Sequence, residues 1–248
     1  MDNLVSAGIQ VYPDLAAVSL RAAAHLAQAT QATVARHGRC TWALAGGGTP
    51  RTLYHVLARD YAATLPWAQI HLFWGDERYV PHEDPRSNYR MVREALLAQV
   101  SIPPENIHPM PTGYPTPDEA ARAYENTLQH AFPPPRPRLD LVLLGIGTDG
   151  HTASLFPGTP ALDEKERWVT ATETHADPPH RLTLTFPVLN HAAAVHFLVS
   201  GAEKAEAVRC ALAKTPALER CPAGGVRPGA GSLTWWLDQA AARLLDER

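Results

Sequence analysis

An apolar run, Leu139-Asp140-Leu141-Val142-Leu143-Leu144, breaks at once into Gly145-Ile146-Gly147-Thr148-Asp149-Gly150-His151-Thr152-Ala153-Ser154. The run has the length and apolar character of a buried strand. Glycines at its end let the backbone turn tightly and approach a ligand closely. Histidine is the one side chain whose unperturbed pKa, about 6.5, permits proton transfer near neutrality. In open α/β sheets ligands sit outside the carboxyl ends of strands, which is where this segment falls. A site at His151 is therefore the first expectation, with Asp149 either orienting the imidazole or capping the turn that follows.

Strand-like and helix-like segments alternate through the rest of the chain, the pattern of a parallel sheet flanked by helices. The spacing predicts a helix from Asp14 to His37, stopped at Gly38, then a strand over Thr41–Ala45. Thr49 suits an N-cap and Pro50 the first helical position of a helix running through Arg51–Arg59. A strand over Ile70–Trp74 leads into Asp76-Glu77-Arg78, and Asn88–Gln99 reads as helical. Thr116-Pro117-Asp118-Glu119 opens a helix towards His130. The four prolines between Phe132 and Arg138 re-aim the chain without marking a domain boundary. Further strands are expected at Trp168–Thr172, Leu182–Phe186 and Val195–Ser200, a helix at Ala202–Ala213, and a strand–helix pair over Leu233–Leu245. With no internal repeat, residues 1–248 read as one α/β domain.

Four loops at predicted strand ends carry candidate chemistry. Gly46-Gly47-Gly48-Thr49 precedes a helix, where free N–H groups and the helix dipole favour an anion, although a tight packing turn reads equally well. It is neither a Walker loop, lacking the Lys-Ser/Thr that follows, nor a dinucleotide fingerprint. Asp76-Glu77-Arg78 is either a solvated charged turn or a place where Arg78 forks onto a phosphate or carboxylate. Ser200-Gly201-Ala202-Glu203-Lys204 puts a lysine in a first helical turn, against the dipole, which points to a bound anion or to an ion pair with a nearby acid. Arg181 reads on its own as an edge charge.

Composition narrows the classes of partner. Net charge is −3 over 248 residues, so a general nucleic-acid footprint is not expected and anionic ligands must meet a few placed cations. Three cysteines without a CxxC spacing favour a reducing compartment. The first residues lack the regions of a signal peptide, and no apolar run approaches the roughly 20 residues that span a bilayer. The expectation is a cytoplasmic protein that does not meet a membrane. None of the twelve histidines shows a spacing that marks a metal pair.

Taken together, these segments are specific. Ala45-Gly46-Gly47-Gly48-Thr49-Pro50, Trp74-Gly75-Asp76-Glu77-Arg78-Tyr79-Val80-Pro81, Ser87-Asn88-Tyr89, Gly145 to Ser154, Arg181-Leu182-Thr183, Ser200-Gly201 with Lys204, and Thr234-Trp235 to Asp238 occur in that order over most of the chain. In this the chain resembles the 6-phosphogluconolactonases of the α/β type. The resemblance implies an open, mostly parallel Rossmann-like sheet of the glucosamine-6-phosphate deaminase-like superfamily. It implies hydrolysis of 6-phospho-D-glucono-1,5-lactone in the oxidative pentose phosphate pathway, without an obligatory cofactor or metal. It implies His151 as the base on water, Arg78 and Lys204 as phosphate-binding cations with Arg181 as a third, and Asp76 orienting Arg78 or a sugar hydroxyl. The Gly46–Gly48 loop would serve the oxyanion or the phosphate, and the oligomeric state is left unspecified. One departure is Pro222-Ala223-Gly224-Gly225, where the family carries a serine or similar residue after Pro-Ala; it is expected to touch none of the chemistry.

Two other readings remain. Amino-sugar phosphate deaminases resemble the chain around Asp149-Gly150-His151 but carry a glutamate where this chain has Phe156, which cannot move protons. A non-catalytic sugar-phosphate sensor would ordinarily add a partner-binding module, for which there is room before Thr41 for little beyond one helix.

Overall fold

The computed structural model describes residues 8–245. The chain runs β1 (Gly8–Tyr12), α1 (Leu15–His37), β2 (Cys40–Leu44), α2 (Gly48–Tyr61), β3 (Ile70–Trp74), β4 (Asp76–Arg78), α3 (Asn88–Ala95), β5 (Ile107–His108), α4 (Pro117–Ala131) and β6 (Leu141–Leu144). It continues with β7 (Val169–Glu173), β8 (His180–Leu184), α5 (Phe186–Leu189), β9 (Ala194–Val199), α6 (Ala205–Ala211), β10 (Ser232–Asp238) and α7 (Gln239–Ala242).

Seven strands form one sheet in the order β1-β10-β9-β6-β2-β3-β5, and every pairing in it is parallel. All five residues of β2 and all four of β6 are buried, as expected for central strands covered on both faces. From β2 the chain steps outward to β3 and β5, and β6 returns on the other side of β2 before the chain continues to β9 and β10. The strand order therefore reverses between β2 and β6, and a crevice opens at such a point.

Local chemistry accounts for the element ends. Asp14 caps α1 by accepting from the Ala17 N–H at 2.8 Å. Gly38 closes the helix at φ 77°, donating to the Val34 carbonyl, a left-handed position that costs a non-glycine residue energy. Between them Val18, Ala22, Leu26 and Thr30 mark the buried stripe. Two tyrosines then pin strand ends. The Tyr54 hydroxyl of α2 accepts from the Ala45 N–H at 3.0 Å and donates to the Ala45 carbonyl at 2.8 Å. Tyr124 of α4 accepts from the Trp74 N–H at 2.8 Å. Burial pushes both phenols up, so they stay protonated donors.

Several elements differ from expectation. α2 begins at Gly48 with Gly47 as its cap and no side-chain capping bond; Thr49 and Pro50 lie inside the first turn. The segment expected as one helix from Asn88 ends at Ala95 and gives way to a 3₁₀ turn, and Ala202–Lys204 is likewise a 3₁₀ turn ahead of α6. β1, too exposed along its edge to show apolar periodicity, and the two-residue β5 are additions. So is a separate antiparallel sheet, β4-β8-β7: Asp76-Glu77-Arg78 is a strand and not a solvated turn, and Arg181 lies within β8. No helix among the described residues is long and apolar enough to cross a membrane.

Candidate active site

A cleft of about 180 Å³ opens over the β2/β6 switch. Gly46 and Gly47 enter it from the end of β2, Asp76 and Arg78 from β4, His151 from the loop after β6, Arg181 from β8 and Lys204 from the turn after β9. Gly48 and Thr49 line an adjoining lobe of about 230 Å³, which shares Gly46, Gly47 and Lys204 with the first. The two lobes make one groove running from the His151 loop to the start of α2.

The His151 loop is shaped for one contact. Nδ1 of His151 lies 2.6 Å from Oδ1 of Asp149, and the same carboxylate oxygen accepts from the His151 N–H at 3.2 Å. Asp149 thus orients the ring and holds the loop at once. Burial raises its carboxyl, but the hydrogen bond and charge of His151 outweigh that and hold it below the ordinary value. An anionic Asp149 fixes the proton on Nδ1 and leaves Nε2 as a free lone pair. Gly147 has no substitute here: a Cβ on it would stand 2.1 Å from Nδ1 of His151 and 2.3 Å from the Asp149 carboxylate.

The loop is braced from behind. Gly150, at φ 81°, packs against Cys221, and its carbonyl accepts from the Ala223 N–H at 2.9 Å. The Pro222–Gly225 segment therefore reaches the backbone of the loop that carries His151 without contacting the His151 or Asp149 side chains. Thr152 Oγ1 donates to the Gly145 carbonyl at 2.8 Å, tying the loop to the end of β6.

Two of the cations stand together on one wall. Arg78 and Arg181 are direct partners across the antiparallel β4/β8 pair, an arrangement of like charges that is unfavourable unless something anionic lies between them. Arg181 is only 5% exposed, so it is not an edge charge; burial and the neighbouring Arg78 lower its proton affinity. Its Nε donates to the Pro178 carbonyl at 2.8 Å, and Arg78 donates to the Arg86 carbonyl at 2.6 Å. Among the described residues none of Arg78, Arg181 and Lys204 forms an ion pair. For Lys204 this removes the ion-pair explanation of a cation at a helix start. Its turn is set from β10, where Asp238 accepts from Ser200 Oγ at 2.5 Å and from the Gly201 N–H at 3.1 Å.

Asp76 makes no hydrogen bond or ion pair to Arg78 among the described residues. Its carboxylate accepts from Ser154 Oγ at 2.7 Å, and Asn88 donates to its carbonyl at 2.9 Å, so it joins the His151 loop to α3. Glu77, fully buried, accepts from the N–H groups of Arg78, Asn88 and Tyr89, each at 2.7 Å, and from Ser87 Oγ at 3.1 Å. Burial pushes its carboxyl up against those bonds. No role is read from the sequence for Glu77, Asn88 or Ser154, although each lies in a segment that carries the resemblance. Their roles come from tertiary contacts that the sequence does not announce, and polar residues in loops are usually solvated. No group of three or more His, Cys, Asp or Glu side chains that could hold a metal occurs among the described residues.

Comparison with known proteins fits this geometry. The family described as glucosamine-6-phosphate isomerases/6-phosphogluconolactonase matches residues 13–235. A 6-phosphogluconolactonase of Synechocystis sp. is 48% identical over 215 residues, covering 86% of this chain and 87% of its own. One of Nostoc sp. is 42% identical over 240 residues, with 96% and 98% covered. The solved 6-phosphogluconolactonase of Trypanosoma cruzi superposes with a TM-score of 0.89 at 31% identity, covering 98% of each chain. The chain belongs to the glucosamine-6-phosphate isomerase/6-phosphogluconolactonase family.

Proposed function

We propose that this chain, acting as one lactonase domain, hydrolyses 6-phospho-D-glucono-1,5-lactone to 6-phospho-D-gluconate, with His151 as general base. The observation that carries the reading is a histidine held by a carboxylate at 2.6 Å in a cleft whose three cations form no ion pair among the described residues. Relatives that share nearly the whole chain bear the name of that activity.

The residues divide the work as follows. Nε2 of His151 takes a proton from water as the oxygen attacks C1 of the lactone. Asp149 stabilises the imidazolium that forms, and the same proton then goes to the ring oxygen as the C1–O bond breaks. The N–H groups of the Gly46–Gly48 loop, beside the start of α2, are the donors at hand for the oxyanion. Arg78, Arg181 and Lys204 hold the 6-phosphate, with arginine supplying paired N–H donors and lysine a point charge. Asp76, already engaged by Ser154 and Asn88, serves as scaffold. Phe156 in place of a proton-moving glutamate disfavours isomerisation and deamination.

The test is hydrolysis of lactone generated in place by glucose-6-phosphate dehydrogenase and followed through excess 6-phosphogluconate dehydrogenase, with spontaneous hydrolysis subtracted. Wild-type protein is expected to accelerate the step, and His151→Ala to lose about 10²–10⁴-fold in kcat while still binding product. Wild-type protein that adds nothing to the spontaneous rate would overturn the function. Full activity in His151→Ala would keep the reaction and move the base elsewhere.

A further inference from the structure

A single hydrogen bond at Nδ1 fixes one edge of an imidazole and leaves the ring free to rock about that contact. In this protein a second group covers the ring's face. Phe156 stacks on His151 with ring centroids 3.9 Å apart and planes 18° apart. The guanidinium carbon of Arg181 lies 6.0 Å from the centroid of the same Phe156 ring. Phe156 is half-buried beside the cleft and stacks on His151 without being one of the residues that line it.

Local backbone chemistry puts it there. Thr152 and Leu155 bridge across a tight turn, with the Leu155 N–H donating to the Thr152 carbonyl at 2.9 Å. Ala153 takes φ 48° inside that turn, a left-handed conformation uncommon for a residue with a side chain. The chain doubles back, and the next residue, Phe156, folds over the imidazole five residues earlier. Thr159 then holds the Phe156 carbonyl through its N–H at 3.2 Å and its Oγ1 at 2.9 Å. A strained turn kept at this position is consistent with a ring that must be delivered to one place.

We infer that Phe156 is a positioning residue for the reaction: its flat face fixes the plane of the His151 imidazole and registers it against the Arg181 wall that receives the anion. The inference rests on the reading of His151 as general base. An edge contact from Asp149 and a face contact from Phe156 together fix a plane, which one contact alone does not. The aromatic ring suits both neighbours. Its electron-rich face attracts a guanidinium, and an offset stack accepts a second flat ring. A leucine of similar bulk would fill the space without supplying a plane, so volume and flatness can be separated by substitution.

The experiment uses the full chain with Phe156→Leu, Phe156→Tyr and His151→Ala beside wild type, measuring kcat, KM, thermal stability and the NMR shifts of the His151 ring protons. Phe156→Leu is expected to lose about tenfold in kcat with KM changed by less than about twofold, because misplacement of a reacting group penalises the chemical step. Phe156→Tyr is expected to restore most of kcat at a melting temperature matching that of the leucine variant. The upfield ring-current displacement of the His151 protons should persist in the tyrosine variant and vanish in the leucine variant. Wild-type kcat in Phe156→Leu, or an equal loss in both variants, overturns the inference. If His151→Ala is inactive while Phe156→Leu is fully active, only the inference fails. If His151→Ala is itself fully active, the base reading fails and takes the inference with it.

Discussion

His151 was legible because its neighbours are chemically peculiar: Gly147, Asp149 and Gly150 around one histidine at a strand end leave few bland explanations. The geometry sharpens that reading, since the space Gly147 leaves empty is the space the Asp149 and His151 side chains share. Arg181 was harder to weigh. Its partnership with Arg78 depends on an antiparallel register that no local spacing announces. The proposed function divides the labour between base and cations. Arg78→Ala and Lys204→Ala are each expected to raise KM about tenfold or more with kcat within about threefold, since a lost charge-assisted hydrogen bond is worth about 1.5–3 kcal/mol. Steady-state kinetics on the two variants checks this; an unchanged KM in both would place the phosphate elsewhere.

Among the elements, those with strong periodicity and caps were readable almost to the residue: β3 and α1 lie where the pattern put them. The antiparallel β4-β8-β7 sheet was not, because a three-residue charged strand has no alternation to read and exists only by pairing with β8. The tertiary pins were equally silent. Tyr54 sits at an ordinary apolar position of α2, yet its hydroxyl holds both polar groups of Ala45, the residue that leads into the glycine loop. Tyr54→Phe leaves that N–H and carbonyl buried without partners, a cost of about 1–3 kcal/mol per group. A lower denaturant midpoint together with a reduced kcat is expected; a change in stability alone would mean that the glycine loop holds its shape without the pin.

On the scale of the whole molecule, fold class followed from alternation, and the place of the site followed from where the strand order reverses. Net charge pointed the other way. A chain at −3 is a poor collector of anions on average, and only the fold reveals that three cations share one cleft. Such a local field is screened by salt over about 8–10 Å. KM for the phosphorylated lactone should therefore rise steadily as ionic strength goes from about 0.05 to 0.5 M, with kcat nearly constant. A flat KM would mean that shape rather than charge selects the ligand. The sheet also imposes an order in time. Among the described residues β1 pairs only with β10, Gly8 beside Thr234, so the first described strand has no partner until the last one leaves the ribosome. At about 5–20 residues per second that wait is on the order of ten seconds or more. Throughout it, the backbone groups of β1 that β10 later pairs remain open to other strands, making the growing polypeptide more prone to association than the finished one.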